Sequence, residues 1–387
     1  MPLMLAELET PIPVVDLDRL ARNLDRAAEY ATAHGLALRP HIKTHKSPWI
    51  AAEQMKRGAV GVTCATPFEA EVMSDVCEDI LVAYPTVAPR RAERLIALDD
   101  SVRVTVALDS IAAVERLSQA AAKADRTVGV YVELDVGMHR VGVTDATAAI
   151  EIARAVHARP PLEFSGLAFY PGHIREPVDQ QTAKLAALDA SLRAAVDAFD
   201  RAGLPPSVIS GGSTPTMWHT HFLRAVTEFR PGTYVYNDRS TAIIGACQWD
   251  DCALTVLATV ISTAVPGQAV IDAGTKALGR EPIREPHAGD GFGAIAEHPE
   301  VIVKSMSEEH GILDLSATSW KPEVGERVRV LPNHVCVVVH LNDVIAGVRG
   351  EVVEIVWPVA ARGRGYSIPA PGPAVDASTR GVAAGIK

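Results

Sequence analysis

The feature that most constrains the fold is an alternation. Through the first 245 residues, short apolar runs rich in β-branched residues take turns with longer amphipathic runs. PVVDL at 13–17 precedes DRLARNLDRAAEYATAHG, and LRPHIK precedes SPWIAAEQMKRG. GVTCA, DILVAY, RVTVALD, TVGVYVELD and EFSGLAFY are each followed by a helical pattern, and PSVISGG and a short run at TYVY, 233–236, close the series. Strands apolar on both faces, each followed by a helix, predict a parallel sheet covered by helices. Eight such units predict a (β/α)₈ barrel over residues 13–245. An open doubly wound sheet is the alternative, weakened because no glycine fingerprint of the dinucleotide-binding type follows the first strand. In the third unit, Thr66 is placed to cap a helix whose first turn holds Pro67.

From residue 246 the texture changes. ALTVLATVISTAV, QAVIDAG, RVRVLP, VCVVVHL and EVVEIVWPV read as strands between Gly, Pro and charged turns, so 246–368 is expected to be a mainly antiparallel β domain that residues 1–12 can join. Residues 369–387, rich in Gly, Ala and Pro without periodicity, are expected to form a loose tail. A length of 387 residues fits two domains. The net charge of −10 excludes a nucleic-acid footprint, and no apolar run is long enough to span a bilayer. The acidic N-terminus lacks a signal-peptide charge pattern, and five scattered cysteines point to reduced thiols, so a cytoplasmic protein is expected.

Chemistry concentrates at the predicted strand ends, where barrel enzymes place their sites. Lys43 in RPHIKTHK follows the GLAL run and is flanked by Arg39, His41, His45 and Lys46. Nearby cations and burial favour the neutral amine that forms a Schiff base; a solvated basic strand end is the plainer alternative. VELDVGMHRVGV carries Arg140, which could hold an anionic group of a cofactor or pair with Asp135 at the surface. FYPGHI carries Tyr170 and His173, the latter a candidate acid–base group or a turn histidine without a task. SGGSTPT places Ser210, Gly211, Gly212, Ser213 and Thr214 where backbone N–H groups can cradle a phosphate, and RPGTYVYND adds Gly232, Thr233, Tyr234 and Asn237. A strand-end lysine with a phosphate cradle on the last strands suits pyridoxal 5′-phosphate, PLP. In PNHVC, His334 and Cys336 would share one face of a strand, as an open two-ligand metal site or as core packing.

Together RPHIKTHK, VELDVGMHRVGV, SGGSTPT, RPGTYVYND, SEEHG at 307–311 and PNHVC resemble the fold-type III PLP enzymes of the D-threonine aldolase and D-serine dehydratase group, which share an alanine-racemase-like barrel. The resemblance spans nearly the whole chain except the tail. It implies a PLP barrel followed by a β domain, in a homodimer. It implies that Lys43 holds the cofactor covalently with His41, Arg140, Tyr170 and the two glycine loops around it. It implies that His334 and Cys336 bind a divalent metal (Zn, Mn or Co) near the hydroxyl of a D-3-hydroxy-amino acid. FYPGHI resembles the aldolase branch, with His173 as the base for retro-aldol cleavage of D-threonine-like substrates. His-X-Cys resembles the dehydratase branch, which acts on D-serine or D-3-hydroxyaspartate to give a 2-oxo acid and ammonia. A racemase would need a tyrosine base from the β domain, where no such motif is seen; a non-catalytic PLP carrier would need only the barrel.

Overall fold

The computed structural model describes residues 2–283 and 290–363. In chain order its elements begin with β1 (Ile12–Asp16), α1 (Leu17–Ala33), β2 (Ala37–Leu38), α2 (Pro48–Lys56), β3 (Val62–Cys64), α3 (Pro67–Met73), β4 (Asp79–Val82) and α4 (Pro89–Ile96). They continue with β5 (Arg103–Leu108), α5 (Ile111–Lys123), β6 (Val128–Leu134), α6 (Ala146–His157), β7 (Leu162–Phe169), α7 (Thr182–Arg201), β8 (Val208–Gly211), β9 (Glu228–Phe229) and α8 (Arg239–Ile243). The second half holds β10 (Leu254–Ser262), β11 (Gln268–Ile271), α9 (Thr275–Leu278), β12 (Gly293–Ile295), β13 (Val303–Met306), β14 (Gly311–Asp314), β15 (Arg327–Pro332), α10 (Val335–Leu341), β16 (Val344–Arg349) and β17 (Val352–Pro358).

Local chemistry explains most helix starts. Asp16, Ser47, Thr66, Ser110 and Asp145 each cap the helix that follows with a side-chain oxygen, and Pro48 and Pro67 occupy first-turn positions. The strands β2 to β9 form one parallel sheet in the order β2-β9-β8-β7-β6-β5-β4-β3. A parallel bridge from His41 to Thr63, with the Thr63 N–H donating to Pro40 O at 2.8 Å, joins its two edges. The barrel is therefore closed, and its core is the Val, Leu and Ile set shared by strands and helices.

Three sequence expectations are corrected. PVVDL is not a barrel strand: β1 lies between β10, antiparallel, and β16, parallel, in the second sheet. Val14 and Val15 are both buried there, and a strand apolar on both sides carries no mark of which sheet it enters. The last barrel strand is Glu228–Phe229, whereas Thr233–Val235 is a 3₁₀ turn whose Tyr234 and Tyr236 rings are buried beneath α1 and the second sheet. VCVVVHL is a helix, not a strand. Its buried residues Val335, Val338 and Val339 recur at helical spacing, so packing of one face overrides the β preference of valine. His334 is its N-cap residue and Cys336 lies in its first turn.

The second sheet has nine strands, antiparallel except at β1–β16, in the path β13-β14-β11-β10-β1-β16-β17, with β15 pairing with both β10 and β12. One apolar cluster joins α1, the Tyr234–Tyr236 turn, β10 and α10, and so fixes the second domain against the barrel. Among the described residues no helix is long and apolar enough to cross a membrane. The expected tail, 369–387, lies outside the described residues.

Candidate active site

Strand β2 ends at Leu38, and the chain turns through a short 3₁₀ helix, Ile42–Thr44, that carries Lys43 before α2 begins. The expected cationic surround is not found. Arg39 points into the barrel, where it pairs with Asp79 at 2.8 Å and Glu228 at 2.7 Å. Lys46 is buried against Glu69. Burial pushes the His45 pKa down to about 3, and burial together with the charges of Lys43, Arg230 and Lys46 holds His41 well below the usual histidine range. Both imidazoles are thus neutral at pH 7, and Lys43 is the one cation of this motif that faces the cleft.

That cleft measures about 420 Å³ and is lined by Lys43, Arg140, Tyr170, Arg175, Thr233, Asp238, His334 and Cys336, with Met138, Ile243 and Ile244 among its apolar wall. The Tyr170 ring has two cations over it, with Lys43 Nζ 5.7 Å and Arg140 Cζ 4.9 Å from its centroid. Arg140 is exposed, not buried, and Asp135 engages His139 at 2.8 Å rather than Arg140. The α10 start closes the wall: Cys336 Sγ is 3.3 Å from Thr44 Oγ1, the residue after Lys43. His334 Nδ1 is 2.9 Å from Oδ2 of Asp238, which is fully buried. The neighbouring Cys336 thiolate raises the His334 pKa well above its usual value, against the effect of burial and with help from Asp238. Burial opposes the Cys336 thiolate, yet His334 and Lys43 bring its pKa below the ordinary thiol value. Among the described residues no third His, Cys, Asp or Glu joins this pair in a metal-ligating cluster.

The predicted cradle is placed in part. Ser213 and Thr214 are buried at the start of a 3₁₀ helix after β8, and Thr233 opens the corresponding turn after β9. The first N–H groups of such turns have no acceptor within their own helix. Gly212 has φ +97°, and a Cβ on Gly232 would come within 3.0 Å of Thr44 Oγ1 and 3.1 Å of His41 O. A Cβ on Gly211 would strike the Phe169 ring. Two of the chosen side chains do other work. Ser210 donates to Glu228 at 2.6 Å inside the barrel, and Tyr234 bonds Gln54 at 3.0 Å, leaving only its backbone N–H on Thr214 Oγ1 at 3.1 Å. Asn237 is buried and donates to Asp251 O. His173 does not line the cleft; its ring stands behind Gly137, its Nδ1 is buried without a partner, and burial lowers its pKa.

Sequence reasoning missed Arg230, Asp238, Thr44 and Arg175. Arg230 is buried at the barrel centre; its Nη2 donates to Phe169 O at 2.9 Å and Ser210 O at 3.3 Å, and its Nε has no partner. Arg230 and Asp238 open and close the RPGTYVYND motif, which was the available signal. A donor orphaned at the barrel centre, glycines that keep backbone close to the lysine turn, and a tyrosine face beside that lysine fit an aromatic phosphate cofactor. A second, larger cavity of about 620 Å³ lies at the N-terminal ends of the strands, lined by Arg39, Asp79, Arg126 and Glu228. Its buried charges are satisfied within the fold, and that end of a barrel serves stability.

Residues 15–240 match the family described as alanine racemase, N-terminal domain, and residues 253–348 match the putative serine dehydratase domain. The chain is 34% identical over 374 residues to a 3-hydroxy-D-aspartate aldolase of Paracoccus denitrificans, covering 93% of this chain and 94% of that one. The solved D-threonine aldolase from Filomicrobium marinum superposes with a TM-score of 0.86 at 33% identity, covering 94% and 97% of the two chains. A cysteine-to-alanine mutant of D-threo-3-hydroxyaspartate dehydratase, solved in the metal-free form, gives 0.84 at 32% identity over 92% and 98%. Across both domains, then, the chain belongs to the fold-type III, alanine racemase-like family of pyridoxal 5′-phosphate enzymes that contains the D-threonine and 3-hydroxyaspartate aldolases and dehydratases.

Proposed function

We propose that this enzyme is a lyase that cleaves D-3-hydroxy-amino acids between Cα and Cβ, giving glycine and an aldehyde. The observation that carries this reading is the approach of α10 to the lysine turn, which puts His334 and Cys336 on the wall of the cleft that holds Lys43. Lys43 would hold PLP, with Arg230 and Tyr170 against its ring, Arg140 toward its anionic edge, and Ser213, Thr214, Gly232 and Thr233 around its phosphate. When bound, the cofactor supplies the electron sink for the bond that breaks. His334 Nε2 and Cys336 Sγ would hold a divalent metal such as Zn, Mn or Co, whose Lewis acidity suits a substrate hydroxyl. Asp238 fixes the histidine ring by taking its Nδ1 side.

His173 would take up the hydroxyl proton. Its depressed pKa keeps the imidazole neutral near pH 7, and because the ring stands behind Gly137 the transfer would run through a water. A dehydratase is the second reading, favoured by the His-X-Cys pair and by the likeness to a D-threo-3-hydroxyaspartate dehydratase. There Lys43 would remove the α-proton, and the hydroxyl would leave as water. The same proposal includes a cytoplasmic homodimer, the compartment supported by five unpaired cysteines and the dimer by the family resemblance.

The test is product identification after incubation of the metal-loaded holoenzyme with D-threonine, D-serine and D-3-hydroxyaspartate. Glycine plus an aldehyde is the expected result. A 2-oxo acid plus ammonia supports the dehydratase, and racemised starting material would overturn both.

A further inference from the structure

The turn after β7 that presents Tyr170 to the cleft also presents Arg175. That turn is tightly held. A Cβ on Gly172 would strike the Tyr170 ring, so only glycine lets the backbone fold over it, and the Ile174 N–H donates to Pro171 O at 3.1 Å. Arg175 Nε donates to Gly172 O at 2.6 Å, which roots the guanidinium in the same turn. Among the described residues its terminal nitrogens meet no acceptor, and the adjacent Glu176 pairs with Lys184 instead. Any amino-acid substrate brings an α-carboxylate into this cleft, and the other polar groups of the lining are already engaged. Ser240 Oγ donates to Asn333 O at 2.6 Å, and Thr241 Oγ1 donates to Asp238 Oδ1 at 2.9 Å. Lys43, Arg140, Tyr170 and Thr233 serve the cofactor in the reading above, His334 and Cys336 serve the metal, and Glu281 repels an anion. A half-buried guanidinium fixed at Nε offers its two terminal nitrogens as a fork that matches a carboxylate.

We infer that Arg175 anchors the α-carboxylate of the substrate and thereby selects which Cα bond is broken. PLP draws electrons from the Cα bond that stands perpendicular to its ring, so the rotation about the Cα–N bond decides the reaction. The substrate amine is held at the Lys43 turn, its hydroxyl at the start of α10 and its carboxylate at Arg175. These are three points on three separate elements, and together they fix that rotation. With the carboxylate loose, Cα–H can turn into the place of Cα–Cβ. The inference rests on the lyase reading and goes beyond it by assigning the residue that chooses the bond.

The test compares holoenzyme of the wild type, Arg175→Gln and Arg175→Lys. Glycine and glycinamide, which differ in the charged carboxylate, are titrated by the change in PLP absorbance. Arg175→Gln should weaken glycine binding by about 10- to 100-fold, the scale of lost hydrogen bonds to a charged group, and leave glycinamide within about twofold of wild type. Arg175→Lys should recover part of the glycine affinity, since a point charge replaces the fork. In deuterated water, D-threonine recovered part-way through the reaction is examined for deuterium at Cα, where the α-proton leaves and a solvent deuteron takes its place. Exchange relative to cleavage should rise in Arg175→Gln. Glycine binding unchanged by the substitution, glycinamide weakened as much as glycine, or no rise in exchange would overturn the inference while leaving the lyase reading intact. A wild type that binds glycine through Arg175 but forms no glycine from any D-3-hydroxy-amino acid would overturn the lyase reading and leave the anchor standing.

Discussion

The two ends of the barrel treat charge in opposite ways. At the floor, Arg39 is held between Asp79 and Glu228, Arg103 also meets Asp79, and Arg126 donates to the carbonyls of Ile96 at 2.8 Å, Asp99 at 3.0 Å and Val102 at 2.6 Å. At the mouth, Lys43, Arg140 and Arg175 face a common cleft with no described carboxylate in ion-pair contact, and Arg230 keeps an unpartnered Nε. Both regions are rich in arginine, and the floor cavity is the larger. What separates a structural from a functional set of cations is whether the fold supplies the counter-charge. Where it does, the charges brace the barrel; where it does not, they stay open to solvent or to a bound anion.

This contrast can be broken by substitution. The largest effect is expected at the mouth: Lys43→Ala should abolish turnover and the cofactor's visible absorbance with little change in thermal midpoint. A borohydride-reducible cofactor adduct at another lysine would show the assignment to be wrong. At the floor, Arg39→Met should act the other way. It strands Asp79 and Glu228 without their buried partner and should cost about 3–5 kcal/mol in urea unfolding. If Arg39→Met is as stable as wild type, the floor network is not structural.

Smaller effects sharpen the boundary. Asp238→Asn keeps the shape of the group behind His334 but weakens its hold on the ring, so metal affinity by isothermal titration should fall about 10- to 100-fold with PLP absorbance retained. The smallest concerns pH. Burial pushes the His45 pKa down to about 3, whereas an unfolded histidine titrates near 6.5. Its neutral form stabilises the fold fully above that upper value, and the contribution is lost as pH falls from 6.5 toward 3. The slope from this one group is about 1.4 kcal/mol per pH unit. His45→Gln should flatten the fall in unfolding free energy between pH 6 and pH 4; an unchanged slope would assign it to other groups.

Much of this was legible in the chain itself. Alternating apolar and amphipathic runs announce the barrel, and the strand-end position of RPHIKTHK announces Lys43, because both depend on local pattern. What escaped depends on partners distant in sequence. Nothing in PVVDL says that β1 inserts between β10 and β16. The valines of VCVVVHL favour a strand in isolation, and only packing of one face makes them helical. The charges around Lys43 look alike on paper, yet Arg39 and Lys46 find carboxylates 189 and 23 residues away. Arg175 drew no attention because its place on the cleft wall is set by elements distant in sequence, which no single stretch reveals.

The central claim is that the lysine turn and the α10 pair act on one substrate across a shared cleft. It is tested most directly by stripping the divalent metal from the holoenzyme with a chelator and measuring cleavage of D-3-hydroxyaspartate and D-threonine alongside metal content and PLP absorbance. The expected result is loss of turnover with the absorbance intact, recovery on adding Zn²⁺, Mn²⁺ or Co²⁺, and no recovery in Cys336→Ser at the same metal concentration. Full turnover by metal-free wild type would contradict the claim and return His334 and Cys336 to the packing of α10 against the barrel.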